Sequence, residues 1–294
     1  MSRPKGSKNK KSSKSSDGGG SFAVTASVKD RYQPEDPNET EAQADARIRE
    51  RFNVMHLMAG QTAIGKNTAI IISGPPGLGK SFGVTKICDR LQATGKVVAS
   101  SVSGFVRPTG LFKALYESRE KNQVLILDDA DSVFSDEATL NLLKIACDTT
   151  KKRTISWLAE TRMEDELGSK IPRSFEFQGA VIFITNLDFD ALIARGSRLA
   201  PHLEALISRS HYLDLSLKTK RDHIVRIKQV LALGMLRDQG MSESDEADVL
   251  DFISANVDRL RELSLRMVLK IATLMRINRQ SWQKIAAITC MKNA

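Results

Sequence analysis

A glycine-rich segment at residues 74–81 has the residue types needed to bind a phosphate group. It follows an apolar run at 69–73 and reads Gly74, Pro75, Pro76, Gly77, Leu78, Gly79, Lys80, Ser81. In this phosphate-binding loop pattern, glycines let backbone N–H groups close around phosphate oxygens. The lysine places a positive charge near the β- and γ-phosphates, and the serine hydroxyl is a Mg²⁺ ligand. The segment therefore predicts a nucleoside triphosphate site.

A dinucleotide site is the alternative for the same glycines. Gly77, Gly79 and Gly83 have a similar spacing to the dinucleotide pattern, which needs an acidic residue at the end of the next strand. The next predicted strand, at 96–102, ends in serine and valine. The triphosphate interpretation is therefore favoured.

Two carboxylates follow a second apolar run, at residues 123–127. Asp128 and Asp129 stand at its end. A buried strand that ends in carboxylates is the usual partner of a phosphate-binding loop. We expect Asp128 to hold Mg²⁺, through water, beside Ser81. We expect Asp129 to polarise an attacking water molecule.

The elements that position these groups are predicted from apolar periodicity. Apolar runs predict buried strands, and apolar residues at helical spacing predict the helices between them. Two further runs, 153–157 and 174–177, predict a hairpin, although the intervening residues 159–168 also fit a helix. The predicted strands of the main sheet are 69–73, 96–102, 123–127, 180–186 and 212–215.

Three segments of different character divide the chain. Residues 1–38 are rich in serine, glycine, lysine and proline and are predicted to be a disordered basic tail. Residues 39–216 alternate strands and helices and are predicted to form an α/β nucleotide-binding domain with a three-layer, parallel-sheet core. Residues 217–294 are predicted to form a small all-helical domain, with helices at 223–236, 248–256, 263–275 and 282–291.

The composition limits the partners and the compartment. The net charge is +9 in 294 residues, which favours nucleic acid or another polyanion as a partner. Three widely spaced cysteines fit no disulfide or metal pattern and indicate a reducing compartment such as the cytoplasm. The sequence lacks a long apolar run and a secretory signal, so we expect no membrane association.

The basic tail carries a possible DNA contact. Arg3 and Lys5 belong to an Arg-Pro segment that is similar to AT-hook tails, in which arginine enters the narrow minor groove of A·T tracts. The segment lacks the Gly-Arg that precedes Arg-Pro in that pattern. The alternative is a solubilising tail with nonspecific affinity for phosphate.

In order and spacing, these motifs resemble the AAA+ ATPases over about residues 40–290. The resemblance implies ATP and Mg²⁺ as ligands, an oligomer in a ring or partial ring, and three further site residues. Asn186 matches the sensor-1 position, which orients the lytic water. Arg209 matches the arginine finger that reaches a neighbouring subunit, and Arg266 matches sensor 2. Arg195 and Arg198 are competing candidates for the finger.

One position departs from the family pattern. Most members have Asp-Glu where this chain has Asp128-Asp129, so the second carboxylate is one methylene shorter. Slow hydrolysis, or a role as a nucleotide-dependent switch, is therefore an alternative, with Asp131 as a possible substitute. Residues 128–134 and 175–179 resemble the small AAA ATPases encoded by bacteriophages, which implies the host cytoplasm as location.

Substrate contacts are expected near residues 102–110. This segment is similar to the corresponding part of the Holliday-junction branch-migration motor, and in hexameric relatives the region faces the central pore. Phe105 and Arg107 are therefore candidate substrate contacts. If the hairpin forms, the resemblance also places Lys151, Lys152 and Arg153 near the substrate.

We therefore expect an oligomeric AAA+ ATPase that acts on DNA, as a motor or as a replication or recombination accessory. A protein-remodelling ATPase or helicase loader shares the same nucleotide residues, and Phe105 suits it as well. A slow nucleotide-dependent switch is the third possibility. Stimulation of turnover by DNA, by a protein partner or by neither distinguishes them.

Overall fold

The structure is a computed structural model that describes residues 32–158, 163–165, 168–196 and 198–292. Most of the predicted tail, with the candidate contacts Arg3 and Lys5, lies outside these residues. Residues 32–38 were predicted to belong to the tail but contact the rest of the chain. The Gln33 N–H donates to the carbonyl oxygen of Lys218 at 2.8 Å, and the Tyr32 hydroxyl accepts from the Leu263 N–H at 3.2 Å.

A five-stranded parallel sheet forms the centre of the fold, as predicted. Its strand order is β2-β3-β6-β1-β7. In β1, which lies between β6 and β7, all five positions are buried, including three consecutive isoleucines, because helices cover both faces. The strands are β1 Ala69–Ser73, β2 Val98–Ser103, β3 Gln123–Asp128, β6 Ala180–Thr185 and β7 His211–Asp214.

Two apolar cores cover the two faces of this sheet. Ile70 and Ile72 of β1 face one core and Ile71 faces the other, as the alternation of a strand requires. The first helix begins at a capping box formed by Thr40 and Gln43. The helices of this part are α1 Glu41–Ala63, α2 Lys80–Ala93, α3 Pro108–Glu117, α4 Glu137–Ala146, α5 Phe189–Ala194 and α6 Ala200–Arg209.

The C-terminal part is helical, as predicted, and has an apolar core of its own. Its helices are α7 Lys220–Ala232, α8 Glu243–Ala255, α9 Leu265–Ile277 and α10 Trp282–Cys290. Ser242 caps α8 through the N–H of Asp245. The boundary of a separate domain at residues 216/217 stays a prediction, because Tyr32–Ala294 form one compact unit.

The predicted hairpin is present, but one of its expected contacts is wrong. Strands β4 Thr154–Ser156 and β5 Ser174–Glu176 pair antiparallel. Arg153 is buried and donates to the carbonyl oxygens of Ala146 and Gly179, so it is not exposed to a substrate. A guanidinium group can satisfy backbone carbonyls that a sequence pattern does not reveal. Part of the possible helix at 159–168 lies outside the described residues.

None of the described helices has both the length and the apolar character needed to cross a membrane.

Candidate active site

The phosphate-binding loop lies at the carboxyl end of β1 and leads into α2. Gly77 and Gly79 have φ angles of 76° and 86°, which side chains with a Cβ atom rarely adopt. Gly79 is also the N-cap of α2. The N-terminus of this helix therefore faces the loop, where its free N–H groups and its dipole favour an anion.

Lys80 is buried, with 5% of its surface exposed. Its Nζ donates to the carbonyl oxygens of Gly74 at 2.6 Å and Pro75 at 2.9 Å, and to Asn186 Oδ1 at 3.0 Å. Burial lowers the pKa of Lys80 to about 8, against the opposing effect of Asp129 and Asp128. All three acceptors are neutral oxygen atoms, so the ammonium charge is available to a phosphate group.

Ser81 and Asp128 meet beside the loop, as the sequence predicted. The Ser81 hydroxyl donates to Asp128 Oδ1 at 2.8 Å. Burial raises the pKa of Asp128, whereas the hydrogen bond from Ser81 lowers it. A hydroxyl and a carboxylate are the oxygen ligands that Mg²⁺ uses in combination with substrate phosphates. These two residues fit a magnesium ion that is shared with a nucleotide, and the described residues contain no cluster of three or more His, Cys, Asp or Glu that could hold a metal alone.

Asn186 connects the lysine to the second carboxylate. Its side-chain oxygen accepts from Lys80, and its Nδ2 donates to Asp129 Oδ1 at 2.8 Å. Asp129 has a φ angle of 51°, a left-handed conformation that aspartate tolerates better than most residues. The structure therefore brings Lys80, Asp129 and Asn186 together at the open end of the sheet.

A second set of hydrogen bonds, which the sequence analysis missed, fixes the two neighbours of Asn186 in the sequence, Thr185 and Leu187. The Thr185 hydroxyl donates to Asp131 Oδ1 at 2.5 Å and accepts from the Leu187 N–H at 3.0 Å. The Leu187 carbonyl in turn accepts from the Ser73 hydroxyl at 2.6 Å. Burial raises the pKa of Asp131. Asp131 is thus engaged with Thr185, and the pattern Asp-Asp-x-Asp was the only sequence signal for it.

The N-terminus of α9 packs directly on the phosphate-binding loop. A Cβ atom placed on Gly77 would lie 2.7 Å from Ser264 Cβ and 3.7 Å from Arg266 Cγ. Arg266 is exposed at this edge, and its charge lowers the pKa values of both Lys80 and Asp128. Arg266 is therefore near the predicted phosphate and metal positions.

Arg209 lies away from these residues. It precedes β7, and β7 runs parallel to β1 with Ile70 opposite His211. Arg209 is therefore at the amino end of the sheet, whereas the phosphate-binding loop is at the carboxyl end. Its Nε lies 3.5 Å from Asp148 Oδ2, and its Nη1 donates to the Ala205 carbonyl at 2.9 Å.

The candidate substrate contacts lie on an exposed loop between β2 and α3. Phe105 is 80% exposed and follows Gly104, whose φ is 85°. Arg107 is exposed and is the N-cap residue of α3. Between them, Val106 is buried and its N–H is fixed by the Ser132 hydroxyl at 2.9 Å. The loop is thus anchored to the segment after β3, beside Asp131.

A parallel sheet with a phosphate-binding loop and adjacent carboxylates defines a P-loop nucleotide-binding protein. The model of the ATPase family associated with various cellular activities (AAA) matches residues 70–204. An uncharacterised 36.7 kDa protein from the nrdC–mobD intergenic region of Enterobacteria phage T4 is 38% identical over 258 residues, which cover 87% of this chain and 78% of that protein. The chain belongs to the AAA family of ATPases.

Two solved structures are similar in fold. A RuvB mutant from Thermotoga maritima has a TM-score of 0.48 at 16% identity, over 83% of this chain and 70% of that chain. NtrX from Brucella abortus in complex with ATP has a TM-score of 0.40 at 15% identity, over 87% of this chain and 65% of that chain. The similarity at these levels concerns the fold alone.

Proposed function

We propose that this chain hydrolyses ATP with Mg²⁺. The observation that carries the proposal is the continuous set of contacts from Lys80 through Asn186 to Asp129. In this proposal, Ser81 and Asp128 hold the magnesium ion, which neutralises phosphate charge when it is bound. Asp129 polarises the attacking water, and Asn186 orients that water. Arg266 contacts the nucleotide from the helical part.

The proposal includes an oligomer, because Arg209 is at the opposite end of the sheet from the loop of its own chain. An arginine at that position can reach the γ-phosphate bound by an adjacent copy, where it would stabilise charge in the transition state. In the isolated chain Arg209 is instead paired with Asp148. Assembly would therefore have to bring a second copy against the nucleotide site.

DNA is the proposed substrate. The net charge of +9 favours a polyanion. The exposed Phe105 and Arg107 offer an aromatic face and a cation, the two groups that track single-stranded nucleic acid. Lys151 and Lys152, which precede the hairpin, are also exposed.

Protein remodelling is the second candidate, and the exposure of Phe105 favours it. An aromatic side chain that is 80% exposed on an anchored loop can contact an unfolded polypeptide as readily as a base. A slow nucleotide-dependent switch is the third candidate, because Asp129 has a shorter reach than glutamate.

The test is steady-state ATP hydrolysis by the purified full chain, alone, with single-stranded DNA and with duplex DNA. A several-fold rise with either DNA supports a DNA-acting ATPase. Basal turnover that DNA leaves unchanged favours a protein substrate. ATP binding without turnover under all conditions favours the switch and contradicts the proposed hydrolysis.

Two variants make this experiment specific to the site. Lys80→Ala removes the buried ammonium group and should abolish ATP binding. Asp129→Asn suits the same backbone conformation but cannot polarise water, so turnover should fall roughly a hundredfold while ATP affinity stays within about twofold. Unchanged turnover in Asp129→Asn would assign that role to another residue.

A further inference from the structure

Two consecutive carbonyl groups of the phosphate-binding loop accept hydrogen bonds from the helical C-terminal part. The Leu265 N–H, at the start of α9, donates to the Gly77 carbonyl at 2.8 Å. The Arg226 side chain, from α7, donates through Nε to the Leu78 carbonyl at 3.2 Å. In a trans peptide the C=O and the next N–H point in opposite directions. The N–H groups of Leu78 and Gly79 are therefore turned away from these two donors.

Arg226 is held rigidly between α1 and the loop. Its Cζ lies 3.3 Å from the centroid of the Phe52 ring, and its Nη1 donates to Gln229 Oε1 at 3.2 Å. Gln229 is anchored in turn, because its Nε2 donates to the Asp45 carbonyl at 2.9 Å. Only 7% of the Arg226 surface is exposed. The guanidinium group therefore has little freedom to leave the Leu78 carbonyl while α7 stays in place.

Among the residues that the structure describes, the buried Arg226 has no acidic partner. Both of its hydrogen-bond acceptors, the Leu78 carbonyl and the Gln229 amide oxygen, are neutral. Burial lowers the pKa of Arg226 to about 10, which still leaves it charged at neutral pH. Burying a cation whose hydrogen-bond partners are neutral costs folding free energy. The contact of Arg226 with the Leu78 carbonyl indicates that its role is to hold the phosphate-binding loop.

We propose that Arg226 is a positioning residue of the nucleotide site, which holds the Leu78–Gly79 peptide so that the Gly79 N–H faces the bound phosphates. The inference rests on the proposed function, since it concerns the same site. It also makes nucleotide affinity depend on the position of α7. The loop backbone binds phosphates that ADP and ATP share, so the loss of Arg226 weakens both nucleotides equally.

The test compares the dissociation constants of fluorescent ADP and of a fluorescent non-hydrolysable ATP analogue for Arg226→Met and the parent chain. Methionine keeps an apolar contact with Phe52 but removes the donor. We expect roughly tenfold weaker binding of both nucleotides, the size of one lost hydrogen bond to a charged group. A loss confined to the ATP analogue would contradict a role at the shared phosphates.

Arg153→Met is the matched control for the loss of a buried arginine. Arg153 is also buried, lies over an aromatic ring (Phe177, 5.0 Å) and donates to backbone carbonyls. It is placed between α4 and β4, away from the loop. We expect its substitution to lower the unfolding temperature about as much as Arg226→Met does, while ADP affinity stays within about twofold of the parent.

The second donor can be removed on its own. Leu265 is the first residue of α9, where proline is well tolerated, and Ser264 has the extended conformation (φ −153°, ψ 161°) that suits a residue before proline. Leu265→Pro removes the N–H, and Leu265→Ala controls for the lost side chain. We expect Leu265→Pro to bind both nucleotides several-fold more weakly than Leu265→Ala.

Besides a loss confined to the ATP analogue, three results would overturn this inference. The first is a lower unfolding temperature in Arg226→Met with ADP affinity within twofold of the parent, and the second is an equal loss of affinity in Arg153→Met. If Arg226→Met does not fold, Arg226→Lys, which keeps the charge without the Nε donor, and Leu265→Pro carry the same expectation. The third result is unchanged binding of both nucleotides in Arg226→Lys and in Leu265→Pro. If the parent chain itself binds neither nucleotide, the proposed function fails as well.

Discussion

At the residue scale, the cost of burying Lys80 explains how the loop recognises an anion. Burial desolvates the ammonium group and lowers its pKa to about 8. The hydrogen bonds that it donates, to Gly74, Pro75 and Asn186, all go to neutral oxygens. A phosphate beside it would restore a favourable environment for the charged form. At a pH where Lys80 of the nucleotide-free protein is partly neutral, the protein should therefore take up a proton when it binds a nucleotide.

This linkage predicts a pH dependence of ATP affinity. The charged form of free Lys80 predominates below about pH 8 and is lost above it. We expect ATP affinity to be nearly flat from pH 6.5 to 7.5 and to fall by up to about tenfold per unit above pH 8. Fluorescence titrations with ATP between pH 6.5 and 9.5 measure this directly.

Lys80→Arg is the control, because arginine stays charged throughout this range. If the folded variant binds ATP, its affinity should not decline above pH 8 as that of the parent does. A parent affinity that is constant up to pH 9.5 would contradict the lowered pKa.

At this same scale, the sequence predicted the residues of the loop and the positions of Asp128, Asp129 and Asn186. Their roles stay proposals, but the structure brings them together because strand ends of a parallel sheet share one edge. Thr185 and Arg226 were missed for a physical reason. A single hydroxyl, or a single arginine in an amphipathic helix, has no spacing that marks it, and its partner is distant along the chain.

At the element scale, the packing of α9 on the phosphate-binding loop leaves no room for a side chain at Gly77. A Cβ atom placed on residue 77 would lie 2.7 Å from Ser264 Cβ. We expect Gly77→Ala to weaken ADP binding at least tenfold, because the loop or α9 must shift and because φ at this residue is 76°. Isothermal titration with ADP measures the change.

Ser264→Gly separates these two causes. It removes the opposing Cβ, and glycine is an acceptable N-cap for α9. In the double variant Gly77→Ala/Ser264→Gly, part of the lost affinity should return, whereas the part due to backbone strain should not. An affinity in the double variant equal to that of Gly77→Ala alone would show that the contact with α9 is unimportant.

Apolar periodicity predicted the strands and the C-terminal helices well, but it did not predict all the helix ends. Apolar residues at helical spacing predict a first helix from residue 39 to about residue 57, ahead of Gly60, yet α1 continues to Ala63. Glycine costs a helix about 1 kcal/mol, and tertiary packing offsets this here, since the helix lies against α2 at Gly60 with Ile87 nearby. Such packing depends on residues that are distant in the sequence, and the apolar spacing within one helix does not reveal them.

At the scale of the whole molecule, Arg209 and the phosphate-binding loop lie at opposite ends of the sheet. If Arg209 completes the site of an adjacent copy, Lys80→Ala and Arg209→Ala should each be inactive alone. An equal mixture should recover about a quarter of the parent turnover, because random assembly pairs an intact loop with an intact arginine in one site of four. Steady-state hydrolysis after mixing measures the recovery.

The control is an equal mixture of Lys80→Ala with the double variant Lys80→Ala/Arg209→Ala, which contains no intact loop and should stay inactive. Failure of the first mixture to recover activity, with both proteins folded and able to associate, would place the finger elsewhere. Arg195 or Arg198 would then be tested in the same way.

The charge of the whole chain is concentrated at its start. Residues 1–20 contain six lysines and arginines and one aspartate, so they supply more than half of the net charge of +9. We expect deletion of residues 1–20 to weaken DNA binding and to reduce the slope of log affinity against log salt. Fluorescence anisotropy at salt concentrations from about 50 to about 200 mM measures the affinity and the slope, because counterion release has a large effect on affinity over this range.

Replacing the six basic residues of this segment with glutamine is the matched control, because it keeps the length of the chain. It should reproduce the effect of the deletion. A salt slope that neither change alters would show that the tail takes no part in DNA binding.

Because Arg209 is separated from the loop of its own chain, the number of complete active sites depends on how the copies are arranged. A head-to-tail row of copies has one terminal loop that no arginine reaches, so an open row of n copies has n−1 complete sites and a closed ring has n. A dimer would then work at half the maximal rate per chain. Turnover per chain should rise with protein concentration along this series and level off where the row closes.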